Sequence, residues 1–422
     1  MRWVTGFLAI VIATPAAAQQ IEVTLNEAVQ RALQVQPAMV QARGTQRNSG
    51  AARTSAWAAF LPSVTFGGSA SKNSLERFDQ NSNKLIPPIP NYASSLSANI
   101  NLITGVGQLA NIKAANATLD AAEAGIITQR FRTELDTKQA FYNASANEDL
   151  VRVAESQVVR ARQQLQISID KLHAGSATRS DSLRSTVDYG NARIALLQAQ
   201  ANLATAQANL GRQIGIDQSV RARPDSALPP LPDTAALRAS AISTAPQLQQ
   251  AEAAASAARA SQWAARAQYL PTLSFSYGTN RQDTVFNRAF ANNEVHNWRI
   301  GLSWPIFDGF KREQSQVSAA VTRANAEATA ADARRQVSAQ LTQQLAALAT
   351  TYEQITIARD NLAAATEDLR VQNERYRVGA ATILDLLTSQ AALTQAEVNL
   401  VQTRYNYLIA RAQVEAVLGR TL

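Results

Sequence analysis

Cysteine is absent from the 422-residue chain, and histidine and methionine occur only twice each. Without cysteine there can be no disulfide, no thiol nucleophile, no cysteine-bound metal and no lipid on the residue that usually carries one. His173 and His296 stand far apart with no acidic cluster around either, so neither a metal site nor any other cofactor is expected. The two methionines form no cluster that would favour soft metals. There is no GxxxxGK[ST] loop to cradle a nucleotide. No Ser–His–Asp set or carboxylate pair has a pocket suggested around it, and an enzyme is not expected. Beyond the first residues no stretch approaches the ~20 continuous apolar residues that a spanning helix needs. Any membrane contact would have to be made by strands. The formal net charge is +8, but the basic residues are scattered. They read as solvated helix faces and not as a nucleic-acid surface.

The start of the chain reads as an address. Arg2 gives a basic start, Trp3–Ile12 is mostly apolar, and Ala16, Ala17 and Ala18 form a small-residue cleavage site. Residues 1–18 are therefore expected to be a secretory signal peptide, with a mature start at Gln19.

The remainder says nearly the same thing twice. Pro37 answers to Pro246 and Pro62 to Pro271, at an offset of 209 residues. Gly105 answers to Gly309, Gly175 to Gly379, Asp181 to Asp385 and Gly215 to Gly419, at an offset of 204. A constant offset broken by one indel marks an internal duplication. Two repeats are expected, 19–214 and 234–422, joined by a proline-rich linker, 215–233, that carries Pro224, Pro229, Pro230 and Pro232.

Each repeat contains one pair of alternating segments, within 62–104 and 271–307. Val64 and Phe66 share a face against Ser63 and Thr65. Leu96, Ala98, Ile100 and Leu102 alternate with Ser97, Asn99 and Asn101. Leu273, Phe275 and Tyr277 alternate with Ser274 and Ser276, and Trp298, Ile300, Leu302, Trp304 and Ile306 with Arg299, Gly301 and Ser303. Period two puts each apolar set on one face of a strand. A ten-residue strand tilted about 40° rises roughly 25 Å, the height of the apolar band of an outer-membrane barrel. Four strands leave open edges, which lipid does not tolerate, so a barrel would have to be shared among chains. The segments 72–93 and 281–296 read as long exposed loops.

The rest is helical pattern. Leu109–Lys171 contains no proline and one glycine, and Lys311–Val378 contains neither. At ~1.5 Å per residue, roughly 60 to 68 residues make rods of about 90 to 100 Å. Such lengths imply coiled-coil packing, supported by three-and-four spacing at Leu341, Leu345, Leu348, Tyr352 and Ile355. Each rod is expected to end at a glycine turn, Gly175-Ser176-Ala177 and Gly379-Ala380-Ala381. Return helices follow over Arg179–Leu210 and Ile383–Leu418, and shorter helices precede the strands at Leu25–Phe60 and Thr234–Tyr269.

Several segments resemble the TolC family of outer membrane efflux proteins. These are Tyr376-Arg377-Val378-Gly379 with Ile383-Leu384-Asp385-Leu386-Leu387, Thr403-Arg404-Tyr405-Asn406-Tyr407-Leu408, the partner turn Gly175 to Asp181, the opening Val23-Thr24-Leu25, and Leu61-Pro62 with Leu270-Pro271. The likeness covers essentially the whole mature chain. It implies an α+β membrane protein: a homotrimer forming a twelve-stranded β-barrel, four strands per chain, continued by a periplasmic helical coiled-coil barrel. Val64, Phe66, Leu96, Ile100, Leu273, Phe275, Trp298, Ile300, Leu302 and Trp304 would face outer-membrane lipid. The implied partners are a periplasmic adaptor and an inner-membrane transporter, in multidrug efflux or type I secretion. The implied role is a passive exit duct with a periplasmic gate.

The resemblance also assigns the gate. Asp385 would form a ring of carboxylates at the constriction. Asp181 would tie the tips closed, with Tyr376 as hydrogen-bond donor. Thr388 stands where drug-efflux members have a second carboxylate, and Ala381 where they have an arginine latch. Arg184, three residues after Asp181, is the alternative cation, although such a pair on a wet helix contributes only ~0.2–0.5 kcal/mol. The tips Gly175, Ser176, Ala177, Gly379 and Ala380 would meet the adaptor. The competing readings of Asp181 and Asp385 are a first-turn acid at a helix N-terminus and a solvated acidic position. For the whole chain they are a periplasmic adaptor and a non-transport coiled-coil protein.

Overall fold

The computed structural model describes residues 21–72, 74–79, 83–86, 88–103, 107–224, 228–290 and 294–422. The expected signal peptide 1–18, Gly105 of the repeat pattern and Pro87 lie outside them. The chain opens with β1 (Ile21–Thr24), α1 (Leu25–Val35) and α2 (Pro37–Ala58), then β2 (Ser63–Lys72), β3 (Arg77–Asp79), β4 (Lys84–Ile86) and β5 (Pro90–Ile103). A long hairpin follows, α3 (Gly107–His173) and α4 (Arg179–Ile214), and then β6 (Val220–Arg223). The second repeat runs α5 (Thr234–Thr244), α6 (Pro246–Arg266), β7 (Thr272–Asp283), β8 (Val295–Ser303), α7 (Lys311–Arg377) and α8 (Ile383–Leu418).

Helices α3 and α7 have 67 residues each, about 100 Å at ~1.5 Å per residue. The shorter helices preceding the strands, expected as continuous over Leu25–Phe60 and Thr234–Tyr269, are each divided in two. Each breaks before its first proline. Gln36 (φ −61°, ψ 128°) and Ala245 (φ −60°, ψ 116°) are extended, because the proline ring disfavours helical backbone in the residue before it. Pro37 and Pro246 then start α2 and α6, where a missing N–H costs nothing.

These breaks are where the helices stack. Helix α4 ends at Gly215 against the end of α1, where the Gln36 side-chain amide donates to the Gln213 carbonyl. Helix α8 ends at Gly419 against the start of α6. Both glycines have positive φ, 72° and 67°. A methyl group would lie 2.8 Å from Val35 Cγ2 at Gly215 and 2.4 Å from Pro246 Cγ at Gly419. Glycine is required at both joints by conformation and by space.

The core is a set of seams between helices. Leu341, Leu345, Leu348 and Ile355 of α7 bury against Tyr405, Tyr407, Val414 and Leu418 of α8, with Tyr352 half-buried beside them. A second seam joins Phe141 and Ala144 of α3 to Leu210 and Ile214 of α4. It includes Val23, Val220 and Ala222 from a parallel pairing of β1 with β6. The 215–233 linker thus contains a strand that sequence reading missed. Its other face carries Arg221, which bonds Glu148 of α3 at 2.5 Å and Glu22 at 3.3 Å. Burial pushes the Glu148 carboxyl up, but the Arg221 and Arg152 guanidiniums outweigh this and hold it below its ordinary value.

The four long strands form one antiparallel sheet in the order β2-β5-β7-β8. Strands β2 and β8 each have one paired neighbour, so the sheet ends in two open edges. Two expectations are corrected. A bulge between Asn101 and Ile103 pairs Ile103 with Leu273, so Leu102 drops out of the alternation. Strand β8 stops at Ser303, so Trp304 and Ile306 lie beyond it. Pro305 has no N–H to extend the ladder, and the Trp304 indole donates to the Tyr269 carbonyl at 3.2 Å.

Candidate functional site

The register sorts the strand residues into two faces. Phe66 pairs with Leu96, Val64 with Ala98, Ala98 with Tyr277 and Tyr277 with Trp298. Ile100 pairs with Phe275 and Phe275 with Ile300, while Leu273 pairs with Leu302. Directly paired residues point the same way, so nine of the ten sequence-predicted lipid-facing residues share one face of β2-β5-β7-β8. Trp304 is the tenth. Most of this face is bare: Phe66 is 66% exposed, Trp298 70% and Leu302 72%. A continuous apolar sheet face with no cover marks an interaction surface. The opposite face is mostly serine, threonine, asparagine and glycine, in rows such as Ser63–Asn99–Ser276–Arg299 and Thr65–Ser97–Gly278. Alternation between an apolar and a wet face is the pattern of a pore-forming barrel strand.

At the far end, α3 and α7 terminate alike. Gly175 (φ 70°) and Gly379 (φ 81°) take left-handed backbone. The Ser176 N–H donates to the Lys171 carbonyl at 2.9 Å and the Gly175 N–H to that of Leu172 at 3.0 Å. The Ala380 N–H donates to Arg375 at 2.8 Å and the Gly379 N–H to Tyr376 at 3.3 Å. This is the Schellman ending in both copies. Gly175, Ser176, Gly379 and Ala380 are exposed, and Ala177 is half-buried.

Both aspartates cap the helices that follow. The Asp181 carboxylate accepts from the Thr178 N–H at 3.0 Å and hydroxyl at 2.8 Å, while the Thr178 oxygen accepts from the Asp181 N–H. Asp385 does the same with Thr382, at 2.9 and 2.8 Å. Hydrogen bonds from the Thr382 backbone, then from its hydroxyl, hold the Asp385 carboxyl below the usual carboxylate range, and Arg375 adds to the effect. Asp385 and Thr388 are both exposed on α8, with the Thr388 hydroxyl donating to the Leu384 carbonyl at 2.8 Å.

Among the described residues of the single chain, Tyr376 and Asp181 share no hydrogen bond. Tyr376 is buried in a cluster with Leu369, Ile383, Leu386 and Leu393, against which Ala381 packs. The Lys171 ammonium covers its ring at 3.9 Å from the centroid and donates to its backbone carbonyl at 2.6 Å. Nor does Arg184 pair with Asp181 among the described residues. Asp181 is satisfied within its own turn, so the first-turn reading describes it within the single chain.

The Lys171–Tyr376 contact is the lowest rung of a ladder from α3 to the second hairpin. Arg160 holds Glu397 at 2.8 and 3.1 Å and Thr394 at 3.2 Å. The Tyr405 hydroxyl donates to Asp149 at 2.8 Å, and Lys138 pairs with Glu415 at the buried upper end. Tyr407 donates to the Pro229 carbonyl of the linker at 2.9 Å. Sequence reading missed these ties, although Tyr405 and Tyr407 lay in a segment it had singled out. Among the described residues, helix α4 contributes no rung. Its Leu183, Val187, Ile194 and Leu197 are 57–66% exposed, and with Gly190 between them they follow the four-three spacing of a coiled-coil seam.

Comparison with known proteins agrees with this arrangement. The family described as "outer membrane efflux protein" matches residues 28–215 and again 237–420. The chain is 25% identical over 313 residues to the outer membrane efflux protein BepC of Brucella suis, covering 71% of this chain and 67% of that one. It is 24% identical over 359 residues to the outer membrane protein TolC of Escherichia coli, covering 78% and 70%. The crystal structure of the outer membrane protein VceC of Vibrio cholerae superposes with a TM-score of 0.80 at 17% identity, covering 94% and 96%.

Proposed function

The chain belongs to the family of outer membrane efflux proteins, and from that premise we propose that three copies close one barrel and that a periplasmic adaptor and an inner-membrane transporter load it from below. Its fold is that of the trimeric outer-membrane channels, a β-barrel continued by a long helical tunnel and built from a duplicated chain. It resides in the outer membrane with the helices in the periplasm. It is a passive exit duct and not an enzyme.

One observation carries the assembly. The sheet is bare on one face, wet on the other and open at both edges. In hydrocarbon each unpaired peptide group costs several kcal/mol, so β2 and β8 must find partners, and copies of the same chain supply matching edges. The uncovered α4 stripe fits the same assembly, since it lies where a neighbouring copy would complete the helical wall.

The tips are the proposed meeting point with the adaptor. Gly175, Ser176, Ala177, Gly379 and Ala380 sit at the far end of both rods. Among them, Gly175 and Gly379 have open space where a side chain would stand. Asp385 and Thr388 are the proposed constriction, with Asp385 as a carboxylate ring that favours cations. The test is conduction. The purified protein in planar bilayers is expected to give discrete steps, and adding a second carboxylate by Thr388→Asp is expected to strengthen block by multivalent cations from the helical side. An inserted protein that never conducts contradicts the duct.

A further inference from the structure

We infer that Arg299 is a second selectivity element, an anion-attracting ring in the barrel at the opposite end of the duct from Asp385. The inference rests on the trimeric channel reading. Arg299 lies on the polar face of the sheet, paired with Ser276, which pairs with Asn99, which pairs with Ser63. It is the only charged side chain on that face across the paired registers of β2, β5, β7 and β8. It is exposed and, among the described residues, makes no hydrogen bond or ion pair. Two other arginines near the sheet are neutralised: Arg281 pairs with Glu294 at 2.5 Å and Arg312 with Asp308 at 3.2 Å.

Arg299 is also the central residue of β8, which runs Val295–Ser303. Threefold symmetry places three guanidiniums at one height within the barrel. Twelve strands ~4.8 Å apart and tilted about 40° enclose a radius of about 12 Å, and an extended arginine covers roughly half of it. The charges then stand closer to the axis than the ~8 Å Debye length at physiological salt, so their field spans the whole lumen. Low-dielectric walls focus it further. A guanidinium keeps its charge at any working pH and meets carboxylate and phosphate oxygens two at a time. Substrates bearing such groups would be drawn through the barrel after the constriction.

The absence of native cysteine makes the test clean. Asn297 lies two residues before Arg299 on the same face and is exposed. Asn297→Cys is introduced alone, with Arg299→Gln, and with Arg299→Lys, and each trimer's mass is checked. The introduced thiol is reacted with matched methanethiosulfonates, one anionic and one cationic. The anionic-to-cationic rate ratio is expected to fall roughly 5- to 10-fold in Arg299→Gln, the change for reagents two charge units apart at a potential of about one kT. It is expected to hold in Arg299→Lys. An unchanged ratio in Arg299→Gln, with both reagents still reacting, overturns the ring and leaves the channel reading intact. A thiol that neither reagent reaches in the assembled trimer shows that this face does not line the lumen, and overturns both.

Discussion

Lys171 and Tyr376 are 205 residues apart in sequence, yet the lysine ammonium stands over the tyrosine ring and bonds its backbone carbonyl. The last turn of α3 is thereby pinned to the last turn of α7. Within the single chain the ring and the carbonyl make this contact, and not the hydroxyl that the resemblance had aimed at Asp181.

Tyr376→Phe keeps both contacts and should leave open probability in planar bilayers unchanged. Lys171→Met removes both and should raise it. A cation over an aromatic ring contributes about 0.5–2 kcal/mol depending on its burial, enough to move a closed–open balance severalfold. Equal behaviour of the two variants would show that this contact does not hold the tips.

Asp385→Asn should shift the reversal potential toward lower cation preference. The pH dependence has two opposed causes. Within one chain the folded pKa is lowered by the Thr382 hydrogen bonds, so the carboxylate stays charged as pH falls through the ordinary aspartate range near ~3.9. In a ring, repulsion among three carboxylates acts the other way and raises the pKa, so cation preference should fade as acid titrates the ring. The stabilising effect of the cap within one chain is present above the unfolded pKa and lost as pH falls through the folded one. An unchanged reversal potential in Asp385→Asn, or a cation preference that no acidification removes, would contradict the assignment.

Ile300→Arg or Leu302→Arg places a charge on the apolar face of β8. Near the bilayer midplane this should cost about 2–4 kcal/mol and reduce the heat-resistant oligomer in outer-membrane fractions. Arginine at Asn99 or Ser303, on the polar face, should be tolerated. Equal loss from both sets would mean that the faces are assigned wrongly.

Glu415→Ala should lower the melting temperature of the detergent-solubilised protein. Lys138 and Glu415 are only 15% and 11% exposed, and removing one member of a buried pair costs about 3–5 kcal/mol. Glu415 also accepts from the Leu422 N–H at 3.0 Å. Replacing both members with leucine should restore much of the loss, because the penalty comes from the orphaned charge. A double variant no better than Glu415→Ala would place the effect elsewhere.

The long elements were legible because their signals are long. A run without proline or glycine placed the 67-residue α7 within one residue, and strict alternation placed Phe275, Ile300 and Leu302 on a common face. The failures came where a local effect was short or a contact distant. Pro37 and Pro246 were seen as repeat markers but not as the points where the helices divide. Strands β1 and β6 have four residues each, too few for a period to show. The bulge at Leu102 follows from pairing with β7, which the strand's own sequence does not encode. Asp181 was legible as a first-turn acid at a helix N-terminus, and the structure adds the Thr178 cap. The tyrosine latch came from resemblance, and nothing local to Lys171 or Tyr376 announces their contact.

The central claim is that one chain supplies four strands to a barrel it cannot close alone. The most direct test is the protein mass of the purified particle in detergent, by light scattering corrected for bound detergent. Three chains per particle is the predicted result. A stable, folded monomer with the sheet intact would contradict it.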